Sequence, residues 1–157
     1  MANPDDSFLK TCQKCKATCC KMGGADLTEE EMIRILKANH PNFFRKIDKN
    51  HYEMKSKKGI CPYLNNNHSC QIQDIKPLMC RSWPIDTDYK GKKAALVLIK
   101  CPLMPLLSSK QVKEMKKQAG KVLPHIINGG FCKSQLSKSD LNLIYKRFQK
   151  FNRSSLT

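Results

Sequence analysis

Four cysteines within nine residues, Cys12, Cys15, Cys19 and Cys20 in a C-x2-C-x3-C-C run, constrain this chain more than any other feature. Cys61, Cys70 and Cys80 follow in CPYLNNNHSCQIQDIKPLMC, and Cys101 opens CPLMP. A C-x2-C turn sets two thiolates on one side of a short loop, the first half of a tetrahedral zinc or iron site. Eight thiolates divide into two sites of four, as two zinc centres or as one or two iron-sulfur cubanes. The Cys61-Pro62 and Cys101-Pro102 pairs lean toward iron-sulfur, because proline removes a backbone donor and keeps a ligand loop apolar. Cys132 is left over, and the odd total of nine argues against complete disulfide pairing.

At 157 residues the chain is expected to form one domain with a modest core, so metal would help it fold. Hydrophobic residues at 40% permit that core and argue against disorder throughout. The first residues, MANPDDSFLKTC, hold two acids and no apolar run, which is not a secretory signal. No segment approaches the roughly 20 apolar residues of a membrane span. The expectation is a cytoplasmic protein without a membrane partner, in a reducing compartment where thiolates remain free as ligands.

The formal charge of +16 raises nucleic acid, anionic membrane or an acidic protein as partners. The cations, however, are 24 lysines against 5 arginines, spread along the whole chain. Base reading favours arginine and aromatics, so the pattern disfavours specific nucleic-acid binding. Lys110, Lys113, Lys117 and Lys121 share one face of an expected helix, which reads as its solvated side.

Local patterns predict a cysteine-bearing loop over 1–25 that ends at Gly23-Gly24. Thr28 and Glu31 form a capping box for a helix that buries Met32, Ile33, Ile35 and Leu36 and stops at Pro41. A helical turn is expected over 42–48, then a strand from His51, a turn at Lys57-Lys58-Gly59, and a hairpin that brings Cys61 and Cys70 together. Pro77 starts a helical turn through Arg81, and Ala94 to Lys100 is a strand entered from a turn at 89–92. Ser108 or Ser109 caps a helix toward Leu123, with Val112, Met115, Ala119 and Val122 inward, and Ser139 or Asp140 caps a last helix to Phe151. His40, His51 and His125 lack ligand partners and are expected at the surface, His68 in a solvated turn, and Asp86 and Asp88 in a charged loop. No catalytic signature is present.

Taken together, C-x2-C-x3-C-C, an L-T-x-x-E helix, C-P-x-L, the C-R-x-W-P of Cys80 to Pro84 and a final Cys-Pro resemble the CxxCxxCC family, also called YkgJ-type cysteine-cluster proteins. The resemblance spans about residues 10–105. It implies an iron-sulfur cluster or zinc held by Cys12, Cys15, Cys19, Cys20, Cys61, Cys70, Cys80 and Cys101, with Cys132 outside the set. The family's usual I-Y-x-x-R-P is replaced here by Ile72-Gln73-Asp74-Ile75-Lys76-Pro77, so for any bidentate grip of that arginine on a substrate carboxylate or phosphate Lys76 would offer only a point charge. Arg81 is retained, either to hold a cofactor or to balance the charge of the thiolates. An enzymatic branch, the flagellin lysine N-methylase, resembles the cysteine segments but is much longer.

The expected fold is α+β, mostly helical: a small metal-stapled domain over 1–157 with irregular cysteine loops and a short hairpin. Within it, 10–105 forms the cysteine region and 106–157 a helical extension. The expected function is cytosolic binding of an iron-sulfur cluster or zinc. The alternatives are a cluster-dependent enzyme resembling a protein-lysine methylase and a metal-stabilised nucleic-acid module. No protein partner is identifiable.

Overall fold

Thr28 starts the helix that organises the first half of the molecule. A computed structural model describes residues 6–90, 93–99, 101–122, 126 and 153–155. In it α2 runs Glu29–Lys37, and the expected capping box is complete: the Glu31 N–H donates to Thr28 Oγ1, and Glu31 Oε2 accepts from the Thr28 N–H at 2.9 Å. Ile35 is fully buried and Met32 and Leu36 pack partly, whereas Ile33 turns outward at 40% exposure. The helix closes at Ala38, before Pro41, with Asn39 in the left-handed region at φ 62°.

Beside α2 lies a three-stranded antiparallel sheet in the order β1-β3-β2, made of β1 Asp26–Leu27, β2 Phe44–Asp48 and β3 His51–Met54. The helical turn expected over 42–48 is therefore wrong. Phe44 to Asp48 pairs along β3 instead, with Phe44 buried opposite Met54 and Arg45 opposite Glu53, and a two-residue turn with Asn50 at φ 52° folds it back onto that strand. Leu27, Phe44 and Met54 join Ile35, Tyr63 and Ile72 in the core, against which Cys61 and Cys70 also pack. Tyr63 is fully buried, stacks edge-on against Phe43, and donates its hydroxyl to the Pro41 carbonyl at 2.6 Å.

His51 corrects a second expectation. It is 1% exposed, with Nε2 2.8 Å from Asp26 Oδ2, so it ties β1 to β3 from inside. Asp26 also faces Glu53 across the strands, and Glu53, equally buried, pairs with Arg45 on β2. The second face of this sheet is thus a buried polar row.

The remaining elements are α3 Leu78–Ser82, β4 Ile85–Lys90, β5 Lys93–Ile99, α4 Ser109–Ala119 and β6 Arg153–Ser155. The second sheet is antiparallel in the order β4-β5-β6. Helix α3 and strand β5 fall where expected. Asp86 and Asp88 lie on β4, opposite Val97 and Ala95, and not in a loop. Ser108 caps α4 with Gln111 at the third position, and α4 packs on α3 and β4 with Ala119 and Val122 buried. Lys110, Lys113, Lys117 and Lys121 are exposed, as expected. The described residues thus form an α+β fold in which no helix is long and apolar enough to cross a membrane. Gly91, Lys92, Leu123, His125, Cys132 and the helix expected from Ser139 or Asp140 to Phe151 lie outside the described residues.

Candidate metal centre

The N-terminal cysteine segment is helical where a loop was expected: α1 spans Asp6–Lys14 and places Cys12 in its last turn. The chain then reverses through two non-glycine residues in the left-handed region, Lys16 at φ 57° and Ala17 at φ 47°. Such residues cost about 1–3 kcal/mol each and persist only where their surroundings enforce them. Here the Ala17 N–H returns to the Cys12 carbonyl at 2.9 Å, and Thr18 Oγ1 donates to the Cys15 carbonyl at 2.7 Å. A 3-10 turn, Thr18–Lys21, then presents Cys19 and Cys20.

Two backbone bonds fasten this segment to the next cysteine. The Gly23 N–H donates to the Gly59 carbonyl at 2.7 Å, and the Cys61 N–H to the Cys20 carbonyl at 2.8 Å. Gly59 and Cys61 belong to a tight turn in which Lys57 and Ile60 exchange both backbone bonds, with Lys58 at φ 51° and Gly59 at φ 76°. The hairpin expected between Cys61 and Cys70 is reduced to one bridge, Leu64 to Cys70. Cys70 is followed by a turn, and the Asn65–Ser69 loop is held by its own side chains. His68 sits half-buried in that loop at φ 64°.

Cys80 and Arg81 ride on α3. Its first free N–H, from Leu78, is taken by Glu31 Oε1 at 2.7 Å, so Glu31 caps two helices at once and locks α3 to α2. Cys101 follows β5 and accepts a hydrogen bond from the Trp83 side chain.

The eight thiols are half-buried, none is in a disulfide, and their electrostatics mark them as one patch. Burial and the neighbouring Cys19, Cys15 and Cys101 push Cys12 from 9.0 up to about 11. Burial, with Cys70 and Cys19 nearby, pushes Cys61 to about 11 as well. Cys80 is driven higher still, by burial first and then by Cys61, Cys70 and Cys19. A hydrogen bond with Cys20, and then burial, raise Cys19. Burial raises Cys70 and Cys101, and Cys19 adds to both. Cys19 is thus the thiol that most of the others sense. At Cys12, Cys19, Cys61, Cys70, Cys80 and Cys101 the proton is favoured over bare negative charge, a preference that a bound cation would reverse.

The donor set is all sulfur, which suits zinc or iron and suits magnesium or calcium poorly. Among the described residues no three Cys, His, Asp or Glu side chains are already drawn into a metal-binding group. Lys76 does more than the sequence suggests: its charge lowers the proton affinity of Cys12, Cys19, Cys70 and Cys80. The signal was its place between Cys70 and Cys80. Arg81 is half-buried, and its Nε is shielded from solvent with no hydrogen-bond partner. A further unforeseen contact is Met54 Sδ, 3.8 Å from Cys61 Sγ.

No curated protein and no solved structure matches the chain. Residues 11–102, more than half of it, match the model of the CxxCxxCC family, described as a zinc- or iron-chelating domain, and the chain belongs to that family.

Proposed function

We propose that this protein holds zinc or an iron-sulfur cluster through Cys12, Cys15, Cys19, Cys20, Cys61, Cys70, Cys80 and Cys101. What supports the reading is that these eight, spread over ninety residues of sequence, are in no disulfide and that several lie close enough for charge on one sulfur to raise the proton affinity of others. A bound metal supplies positive charge that converts thiols to thiolates and staples the loops that bear them. Lys76 and Arg81 take the charge left over, Arg81 through the Nε that has no other partner. The domain is one unit over 1–157, with 10–105 as the metal region and 106–157 as an extension, and it works in the cytoplasm.

Anaerobic purification with metal analysis and an absorption spectrum distinguishes zinc from iron-sulfur. Cysteine-to-serine replacements, one at a time, then test the ligand set by metal bound per chain. Cys15→Ser and Cys80→Ser are expected to lose metal and Cys132→Ser to retain it. Equal loss from Cys132→Ser refutes the assignment.

A further inference from the structure

Beside Cys61, at the edge of the thiol patch, lies an open recess with a different chemistry. A cleft of about 360 Å³ is lined by Lys57, Lys58, Ile60, Cys61 and Pro62. Its lining is almost wholly apolar, and Ile60 is 37% exposed within it. Both lysines are exposed at the rim, and neither makes an ion pair among the described residues.

Main-chain bonds set the shape of the recess. The Lys57–Ile60 turn closes on itself through two backbone bonds, and Gly59 and Cys61 are pinned to Gly23 and Cys20. It therefore exists before any ligand arrives, as small-molecule sites generally do. Its volume lies at the lower end of such sites, roughly 300–1,000 Å³. A protein interface needs about 800 Å² from each partner, far more than five residues supply.

We propose that this cleft binds a small organic anion with a short apolar body. The body lies on Ile60 and Pro62 and the anionic head sits between Lys57 and Lys58, which places the ligand against Cys61 at the edge of the metal centre. Lysine recognises carboxylate and phosphate alike as a point charge, so the shared feature is the anion and not its geometry. The site stands on the cleft's own geometry and does not depend on which metal is bound.

The test is a titration of the protein as purified, labelled at isoleucine methyls, with hexanoate, hexyl phosphate, hexanol, hexylammonium and acetate. Hexanoate and hexyl phosphate are expected to shift the Ile60 methyl saturably. Their apparent affinity should exceed that of hexanol by roughly tenfold, since two exposed ion pairs add at most about 1 kcal/mol each. A preference between the two head groups identifies the source of the anion. The Lys57→Gln/Lys58→Gln variant should lose the preference for anions. Ile60→Ser, at an exposed position and followed through the amides of 57–62, should lose the preference of hexanoate over acetate. The proposal is overturned if hexanol or hexylammonium binds as well as hexanoate, if the shifts centre on Lys110 to Lys121, or if only an acidic peptide such as hexaglutamate saturates the site.

Discussion

Adding one methyl group at Gly24 should damage this protein more than its small size suggests. A Cβ built there would lie 2.5 Å from Met54 Cβ and 3.1 Å from the Met54 carbonyl oxygen, while ordinary contact begins near 3.4 Å. The segment entering β1 and the end of β3 must then part by roughly 1 Å. Neither partner can give freely: Met54 is 3% exposed in the core, and its N–H donates to the Ala25 carbonyl at 3.2 Å. Overpacking of this kind costs about 1–3 kcal/mol. At the midpoint of that range the melting temperature of a chain this long falls by roughly 4–8 °C. Because Met54 Sδ touches Cys61 Sγ, Gly24→Ala should also weaken metal retention. The control is Gly120→Ala at the end of α4, where the nearest atom is Lys116 O at 3.5 Å and φ is −67°. That change should be neutral or stabilise by up to about 1 kcal/mol, through the unfolded chain. Urea and thermal melts of both variants decide the matter. If Gly24→Ala lies within about 0.5 kcal/mol of the parent, or behaves like Gly120→Ala, the close-approach argument fails.

The Asp26–His51 pair should show strong coupling. Removing either partner leaves the other buried without its counterpart, at about 3–5 kcal/mol, whereas the double leucine variant should cost clearly less than the sum of the two single changes; additive effects in denaturant melts would count against the pair. The thiols predict a pH dependence of the metal-free protein. The folded chain keeps the protons of Cys12 and Cys61 up to about 11, while the unfolded chain loses them near 9.0, so the folded state binds more protons between these values and stability falls as pH rises through them. Urea melts of the parent and of Cys12→Ser/Cys61→Ser across that range check this, and an equal slope in both refutes it.

Much of the site was legible because its chemistry is local in sequence. The C-x2-C-x3-C-C run, the Cys-Pro pairs and the Thr28 box each announce themselves within a few residues, and the box starts α2 as expected. What escaped depends on partners far along the chain. In Asp6–Lys14 only Phe8, Leu9 and Cys12 are spaced as on one side of a helix, a short signal beside the cysteine spacing of a loop. Phe43, Phe44 and Ile47 suit a helical turn as well as a strand, and only pairing with β3 decides between them. Asp86 and Asp88 looked like a loop because both are strand-averse, yet β5 pairs with every residue of β4. His51 was placed at the surface because its partner, Asp26, is twenty-five residues earlier and carries no motif.

The placement of the thiols follows a division of labour between backbone and side chains. Cys20 and Cys61 are joined by a main-chain bond, so their spacing survives replacement of either side chain. Cys80 depends instead on Glu31, whose two carboxylate oxygens serve the starts of α2 and α3. A carboxylate at both N-termini also sits favourably against both helix dipoles. The polar row of Asp26, His51 and Glu53 then holds β1 to β3, the strand pair from which the Cys20 and Cys61 segments diverge. Each of these fixtures is satisfied within the protein and needs no metal. The raised proton affinities of Cys12, Cys19, Cys61 and Cys80 express the opposite condition: the scaffold is complete, and the charge it is built to gather is not stable on sulfur alone. Cysteine segments held by hydrogen bonds within the protein, around buried sulfur that disfavours bare negative charge, are suited to binding a cation without being remade by it.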